Sequence, residues 1–288
     1  GCRAQCNQKL GTLAQKITPK YTWEDIVLSE DNLWQLHAIC DQVKYRHRVY
    51  GEWGFDQKLS LGKGLNALFS GPSGTGKTMA AEIIANALQL DLYKIDLSGV
   101  VSKYIGETEK NLSKIFCEAE SSNAILFFDE ADALFGKRSE VKDAHDRYAN
   151  IEISYLLQKM EEYEGISILA TNLKKNMDDA FLRRLHFLVE FPFPDEKYRY
   201  QIWKNMFPQD TPISKDIDFD FISTRFKIAG GNIKNIAVNA AFLAAANSGA
   251  INMEDIIQAT KQEYQKIGRS YVKSDFGKYS DLVMFKEM

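Results

Sequence analysis

Cysteine is scarce in this 288-residue chain: Cys2, Cys6, Cys40 and Cys117 are too few to staple a fold by disulfides. Only Cys2 and Cys6 stand close together, with no second ligand pair to complete a zinc site, so all four read as reduced thiols of a cytoplasmic protein. Long apolar runs are missing as well. The richest stretch, Ala240 to Ala246, ends in Asn247 and Ser248, far short of the roughly 18 residues that signal a membrane span. Nor does one charge sign dominate: 36 basic and 39 acidic residues give a net charge of −3, which argues against nucleic acid or an anionic membrane as the partner. Low-complexity tracts and internal repeats are absent. The opening Gly-Cys-Arg-Ala-Gln-Cys-Asn-Gln has neither an initiator Met nor an apolar leader, and it reads as an internal fragment.

What is present is an ordinary globular balance, 45% hydrophobic and 26% charged, over a length that suits about two domains. Residues 1–20 are polar and end at Thr18-Pro19, which predicts a linker or helix entering the fold. A helical pattern follows, with Leu33, Leu36, Ile39, Cys40 and Val43 on one face. From Leu65 onward, short apolar runs alternate with amphipathic stretches. The predicted strands are Leu65 to Ser70, Leu92 to Leu97, Ala124 to Asp129, Ile166 to Thr171 and Phe187 to Phe191, each joined to the next by a helix-compatible crossover. Pro192 and Pro194 close the last strand, and the text beyond is helical throughout. The expected organisation is therefore an α/β domain over residues 21–193, built on a five-stranded parallel sheet, then a small all-helical domain over 194–270. Residues 271–288 form a tail without a firm signal.

Gly71-Pro72-Ser73-Gly74-Thr75-Gly76-Lys77-Thr78 fits the phosphate-loop pattern and lies between a predicted strand and a helix that opens near Met79. Glycines let successive N–H groups curl toward phosphate oxygens at a helix N-terminus. Lys77 adds a full charge for the terminal phosphates, and Thr78 offers a hydroxyl to Mg²⁺. The alternative is a glycine-rich turn that only connects two elements.

Ile125-Leu126-Phe127-Phe128-Asp129-Glu130 is an apolar strand ending in two carboxylates, at the edge where open α/β sheets bind ligands. Asp129 there suits a metal held through water, and Glu130 suits an attacking water. Both also suit a helix N-cap. Asn172, after Ile166 to Thr171, could position the same water or cap the next helix.

The ordered set of phosphate loop, Lys103-Tyr104-Ile105-Gly106-Glu107-Thr108-Glu109-Lys110-Asn111-Leu112, Asp129-Glu130, Ala170-Thr171-Asn172 and Phe181-Leu182-Arg183-Arg184 resembles an AAA+ ATPase of the AAA clade across roughly residues 20 to 270. The resemblance implies a phosphate-loop ATPase core with a helical lid, ATP/ADP and Mg²⁺ as ligands, and a homo-oligomer, hexameric in that family, that acts on a polypeptide substrate or assembly partner. It implies Glu130 as the catalytic glutamate and Asn172 as the sensor of the γ-phosphate. Arg183 and Arg184 stand at the positions that reach a neighbour's ATP, although His186 replaces a further arginine found in many relatives. Lys103, Tyr104, Ile105 and Gly106 correspond to a pore loop that grips the threaded chain. Asp25 and Ile26 match a segment near the adenine, and Gly231 a lid turn against the nucleotide, where this chain lacks the usual acidic residue. The charged run from Phe135 to Tyr148 matches a second channel loop or a solvated face. Its wording is similar to prokaryotic AAA ATPases, including some found with contractile injection systems. Two other readings are a nucleotide-dependent scaffold with weak hydrolysis and a nucleic-acid remodelling ATPase, since Asp129-Glu130-Ala131-Asp132 also spells a helicase motif.

Overall fold

The structure, a computed structural model, describes residues 13–58, 63–100, 106–120, 122, 124–132, 144–172, 179–247 and 249–283. The chain divides into two compact units, Gly1–Pro72 with Lys77–Pro192, and Ser73–Gly76 with Phe193–Met288.

In the first unit the described elements run β1 (Gln15–Ile17), α1 (Glu30–Lys44), β2 (Leu65–Ser70), α2 (Lys77–Leu88), β3 (Leu92–Asp96), α3 (Leu97–Val100), α4 (Glu107–Glu120), β4 (Ile125–Asp129), α5 (Ala144–Glu162), β5 (Ile166–Thr171), α6 (Asp179–Leu182) and β6 (Phe187–Glu190), with two short helical turns after α1. One six-stranded sheet has the order β1-β3-β4-β5-β2-β6. The five expected strands pair in parallel. Their near-continuous apolar runs follow from burial on both faces. Side chains alternate between two cores: Leu68, Leu126, Phe128 and Leu169 meet Leu112, Phe116 and Leu156 on one face. Ala67, Phe69, Ile125, Phe127 and Ile168 meet Leu36, Ile39, Ile83 and Ile84 on the other. The result is a sheet between two helical layers, the expected α/β class.

The sixth strand is a departure from the linker expected over residues 1–20. β1 pairs antiparallel with β3, Lys16 opposite Tyr93, and Lys16 Nζ lies 2.8 Å from Asp91 Oδ2. Three residues, two of them polar and exposed, show no alternation; as an edge strand β1 needs only backbone pairing and one covered face.

The second unit holds α7 (Glu196–Met206), α8 (Phe219–Arg225), α9 (Gly230–Asn247) and α10 (Met253–Lys266) around Trp203, Ile222, Phe226, Ile236 and Ile256. Asp195 and Asp218 cap their helices by accepting from Tyr198 and Phe221 N–H, and Asn252 with Asp255 forms a reciprocal capping box on α10. Asn252→Ala is expected to cost about 1 kcal/mol of stability, read as a fall in the thermal midpoint.

The tail differs from its sequence reading too. Lys273–Val283 is a 3₁₀ segment whose Phe276 is fully buried in the core of this second unit. Arg225 fastens it, donating from Nε to the Asp275 carbonyl at 2.7 Å and from Nη2 to the Ser274 carbonyl at 2.6 Å. A 3₁₀ run broken at Gly277 (φ 50°) has no 3.6-residue period, so pattern reading passes over it.

Among the described residues, no helix is long and apolar enough to cross a membrane.

Candidate functional site

β2 delivers the chain to the phosphate loop, and the loop's backbone shows why it carries glycine. Gly71 has φ 149° and its α-carbon faces the Phe191 carbonyl, leaving no room for a β-carbon. Gly74 and Gly76 also have positive φ, 75° and 106°. Lys77, in the first turn of α2, folds its ammonium back over the loop. Nζ donates to the carbonyls of Gly71 at 2.5 Å and Pro72 at 2.9 Å, and to Asn172 Oδ1 at 2.9 Å. Burial lowers the Lys77 pKa, while the charges of Asp129 and Asp132 pull it back up. Thr78 is half-buried in the same helical turn, and Met79 turns into the core beside it.

The strand ends bring further groups to this edge. Asn172 follows β5, the neighbour of β2, and is anchored by its backbone N–H on Asp132 Oδ1 at 2.9 Å. Asp132 also accepts from the Thr171 hydroxyl. It thus braces the end of β5, a role that pattern reading did not assign it because its partners lie about 40 residues away on another strand. Asp129 ends β4, with Oδ1 accepting from Glu130 N–H at 3.0 Å and Oδ2 2.7 Å from Lys94 Nζ.

Glu130 is exposed and holds φ 54°, the left-handed region that costs a non-glycine residue roughly 1–2 kcal/mol. The next residue is pinned: Ala131 is fully buried and its N–H donates to the Ala170 carbonyl at 2.9 Å. Backbone strain over-determined by its neighbours is an indicator of a working residue.

Gly231, at the start of α9, donates its N–H to the Gly74 carbonyl at 2.8 Å. A β-carbon there would stand 3.1 Å from Gly74 Cα, so the pair needs two glycines to approach. Asn232, where the usual acid is missing, caps the turn with Oδ1 on Ala229 N–H and donates to buried Glu263 at 2.9 Å.

The two arginines have different surroundings. Arg184 Nε lies 2.8 Å from Glu161 Oε1. Arg183 is exposed, and among the described residues its side chain has neither hydrogen bond nor ion pair. His186 sits at the sheet edge instead, its Nδ1 accepting from Asn66 N–H at 3.1 Å, and burial lowers its pKa.

Asp25 is engaged locally, accepting from Thr22 N–H at 2.7 Å and the Thr22 hydroxyl at 3.0 Å, and the Ile26 side chain belongs to the core. Gly106 opens α4 with φ 81°. Lys103, Tyr104 and Ile105 lie outside the described residues, as does most of the charged run after Phe135.

A triphosphate and its metal suit this donor set. The loop offers curled backbone and one ammonium to an anion. Among the described residues no three His, Cys, Asp or Glu side chains are grouped to cage an ion. Thr78 and Asp129 are hard oxygen donors of the kind that hold Mg²⁺ together with substrate phosphates.

Residues 67–193 match the profile of the ATPase family associated with various cellular activities (AAA). The chain is 31% identical over 233 residues, 73% of its length, to the 26S proteasome subunit RPT4 of Saccharomyces cerevisiae, covering 53% of that protein. It is 30% identical over 258 residues, 86% of its length, to proteasome-activating nucleotidase 1 of Haloferax volcanii, covering 62% of it. Against the proteasome-activating nucleotidase of Methanopyrus kandleri the identity is 27% over 251 residues, 84% of this chain and 56% of the relative. The chain thus spans between about half and two thirds of the length of these relatives. Motif order, parallel sheet and relatives all agree that the chain belongs to the AAA+ ATPases.

Proposed function

We propose that this chain is the ATP-hydrolysing part of a cytoplasmic homo-oligomeric ring, hexameric by its resemblance, that remodels, unfolds or threads a polypeptide. The observation that carries the reading is the convergence of Lys77 and Asn172 at the strand ends, braced by Asp132, with strained Glu130 just past the end of the neighbouring strand β4. The relatives' names, a proteasome subunit and proteasome-activating nucleotidases, tie such chains to protein degradation and support a polypeptide as substrate.

In this reading the glycines of the loop present N–H groups to the phosphates, and Lys77 exchanges the loop carbonyls for the terminal phosphate oxygens. Thr78 and Asp129 would hold Mg²⁺, which when bound neutralises charge on the β- and γ-phosphates. Glu130 takes the proton of the attacking water at its carboxylate, and Asn172 aligns that water through its amide. Arg183 extends its guanidinium to the site of the next subunit, and Gly231 closes the lid turn over Gly74. Tyr104 would meet the threaded chain.

Glu130→Gln tests the assignment. ATP binding is expected to persist while turnover falls at least about a hundredfold, the loss typical of a removed general base. Turnover near that of the parent would sink it. A parent protein that binds ATP without hydrolysing it would favour the scaffold reading instead.

A further inference from the structure

Lys94 belongs to no motif, yet it makes the shortest ionic contact at the proposed metal-binding edge. It projects from β3, and its Nζ lies 2.7 Å from Asp129 Oδ2. The side chains are 32% and 23% exposed, so the pair is partly shielded from water. Asp129 Oδ1 already accepts from Glu130 N–H, which leaves both carboxylate oxygens engaged by the protein's own donors.

Cohesion does not explain the pair. β3 and β4 are joined by a full parallel ladder from Leu92 with Ile125 to Asp96 with Asp129, and one partly exposed ion pair adds little to such a ladder. Its position suggests another task. The charge on Asp129 that serves a divalent cation is, without that cation, an anion beside the place where phosphates would sit, offset only from a distance by the Lys77 ammonium, which donates elsewhere. An ammonium at this distance supplies the missing positive charge. A divalent cation reaching Asp129, directly or through a water, would meet that ammonium at close range and has to displace or outcompete it.

We infer that Lys94 is a resident counter-cation for Asp129, which balances the metal-binding edge when it is empty and sets the Mg²⁺ concentration needed to fill it. This rests on the nucleotide site proposed above and assigns Lys94 a positioning role through Asp129. Removing the ammonium leaves Asp129 bare: metal-free nucleotide is then repelled, and Mg²⁺ is taken up more readily. The coupling between Mg²⁺ and nucleotide therefore rises, a signature that general loosening of the strand pair does not produce.

The test is equilibrium binding of a fluorescent ATP analogue to the parent chain, Lys94→Met and Lys94→Arg, first in EDTA and then across a Mg²⁺ titration. For Lys94→Met the Mg²⁺ midpoint is expected to fall roughly three- to tenfold and affinity in EDTA to weaken by a similar factor, the scale of one partly shielded charge pair. Lys94→Arg keeps the charge and is expected to stay within about twofold of the parent. Lys94→Gln, which retains a donor to Asp129 without the charge, replaces the Met variant if that protein does not fold, with the same expected shift. An unchanged midpoint in the neutral variant overturns the inference. If the parent chain itself fails to bind the analogue with Mg²⁺ present, the nucleotide site is wrong and the inference falls with it.

Discussion

Arg183→Ala is expected to lower ATP turnover about a thousandfold, the scale on which an arginine supplied to a phosphoryl-transfer site acts. Arg184→Ala should cost about tenfold or less. The difference follows from what each side chain touches. Arg184 is held by Glu161 of the same chain, a pair 41% and 36% exposed, which ties the residues just after α6 to α5. Arg183 is exposed, with no partner among the described residues, the state expected of a group whose target lies on another molecule. Mixing makes the test specific. Arg183→Ala subunits retain Glu130 and Glu130→Gln subunits retain Arg183, so a mixture of two inactive proteins regains activity only if the arginine works across an interface. No recovery in such a mixture, or equal losses for the two arginines, would reject the trans assignment.

Phe276→Ala is expected to destabilise the second, helical unit by about 3–5 kcal/mol, the usual cost of emptying a buried phenylalanine site. Phe276 is fully buried, with ring centroids 5.7 Å from Phe226, 5.8 Å from Tyr271 and 6.5 Å from Tyr264. Aromatic pairs at these separations add to the loss. Urea unfolding reads the change directly. A shift below about 1 kcal/mol would mean that Lys273–Val283 does not pack as described.

Much of the fold was legible because hydrophobic burial writes itself into the text. The apolar runs of β2, β4 and β5 are buried on both faces, and α4 and α10 carry one-sided stripes, so length and period were sufficient to read them. β1 and the 3₁₀ tail were not. Each is short or aperiodic, and each is held by partners far along the chain: Lys94 to Leu92 for β1, Arg225 for the tail.

The site divides in the same way. The phosphate loop was readable because its chemistry is local: glycines for the curl, a lysine and a hydroxyl in the next helical turn. Asp129 and Glu130 were readable by their place at the end of an apolar strand. That Asp132 braces Asn172, that Lys94 sits on Asp129, and that Arg184 is tethered while Arg183 is not could come only from tertiary structure. Each depends on which strand lies beside which, and the order β3-β4-β5-β2 is set by crossovers rather than by neighbouring residues. The sequence alone determined the chemistry available at this edge, because those groups follow one another along the chain. Tertiary structure decided their partners, because the distances that matter, 2.7 Å to Asp129 and 2.8 Å to Glu161, are spanned between elements.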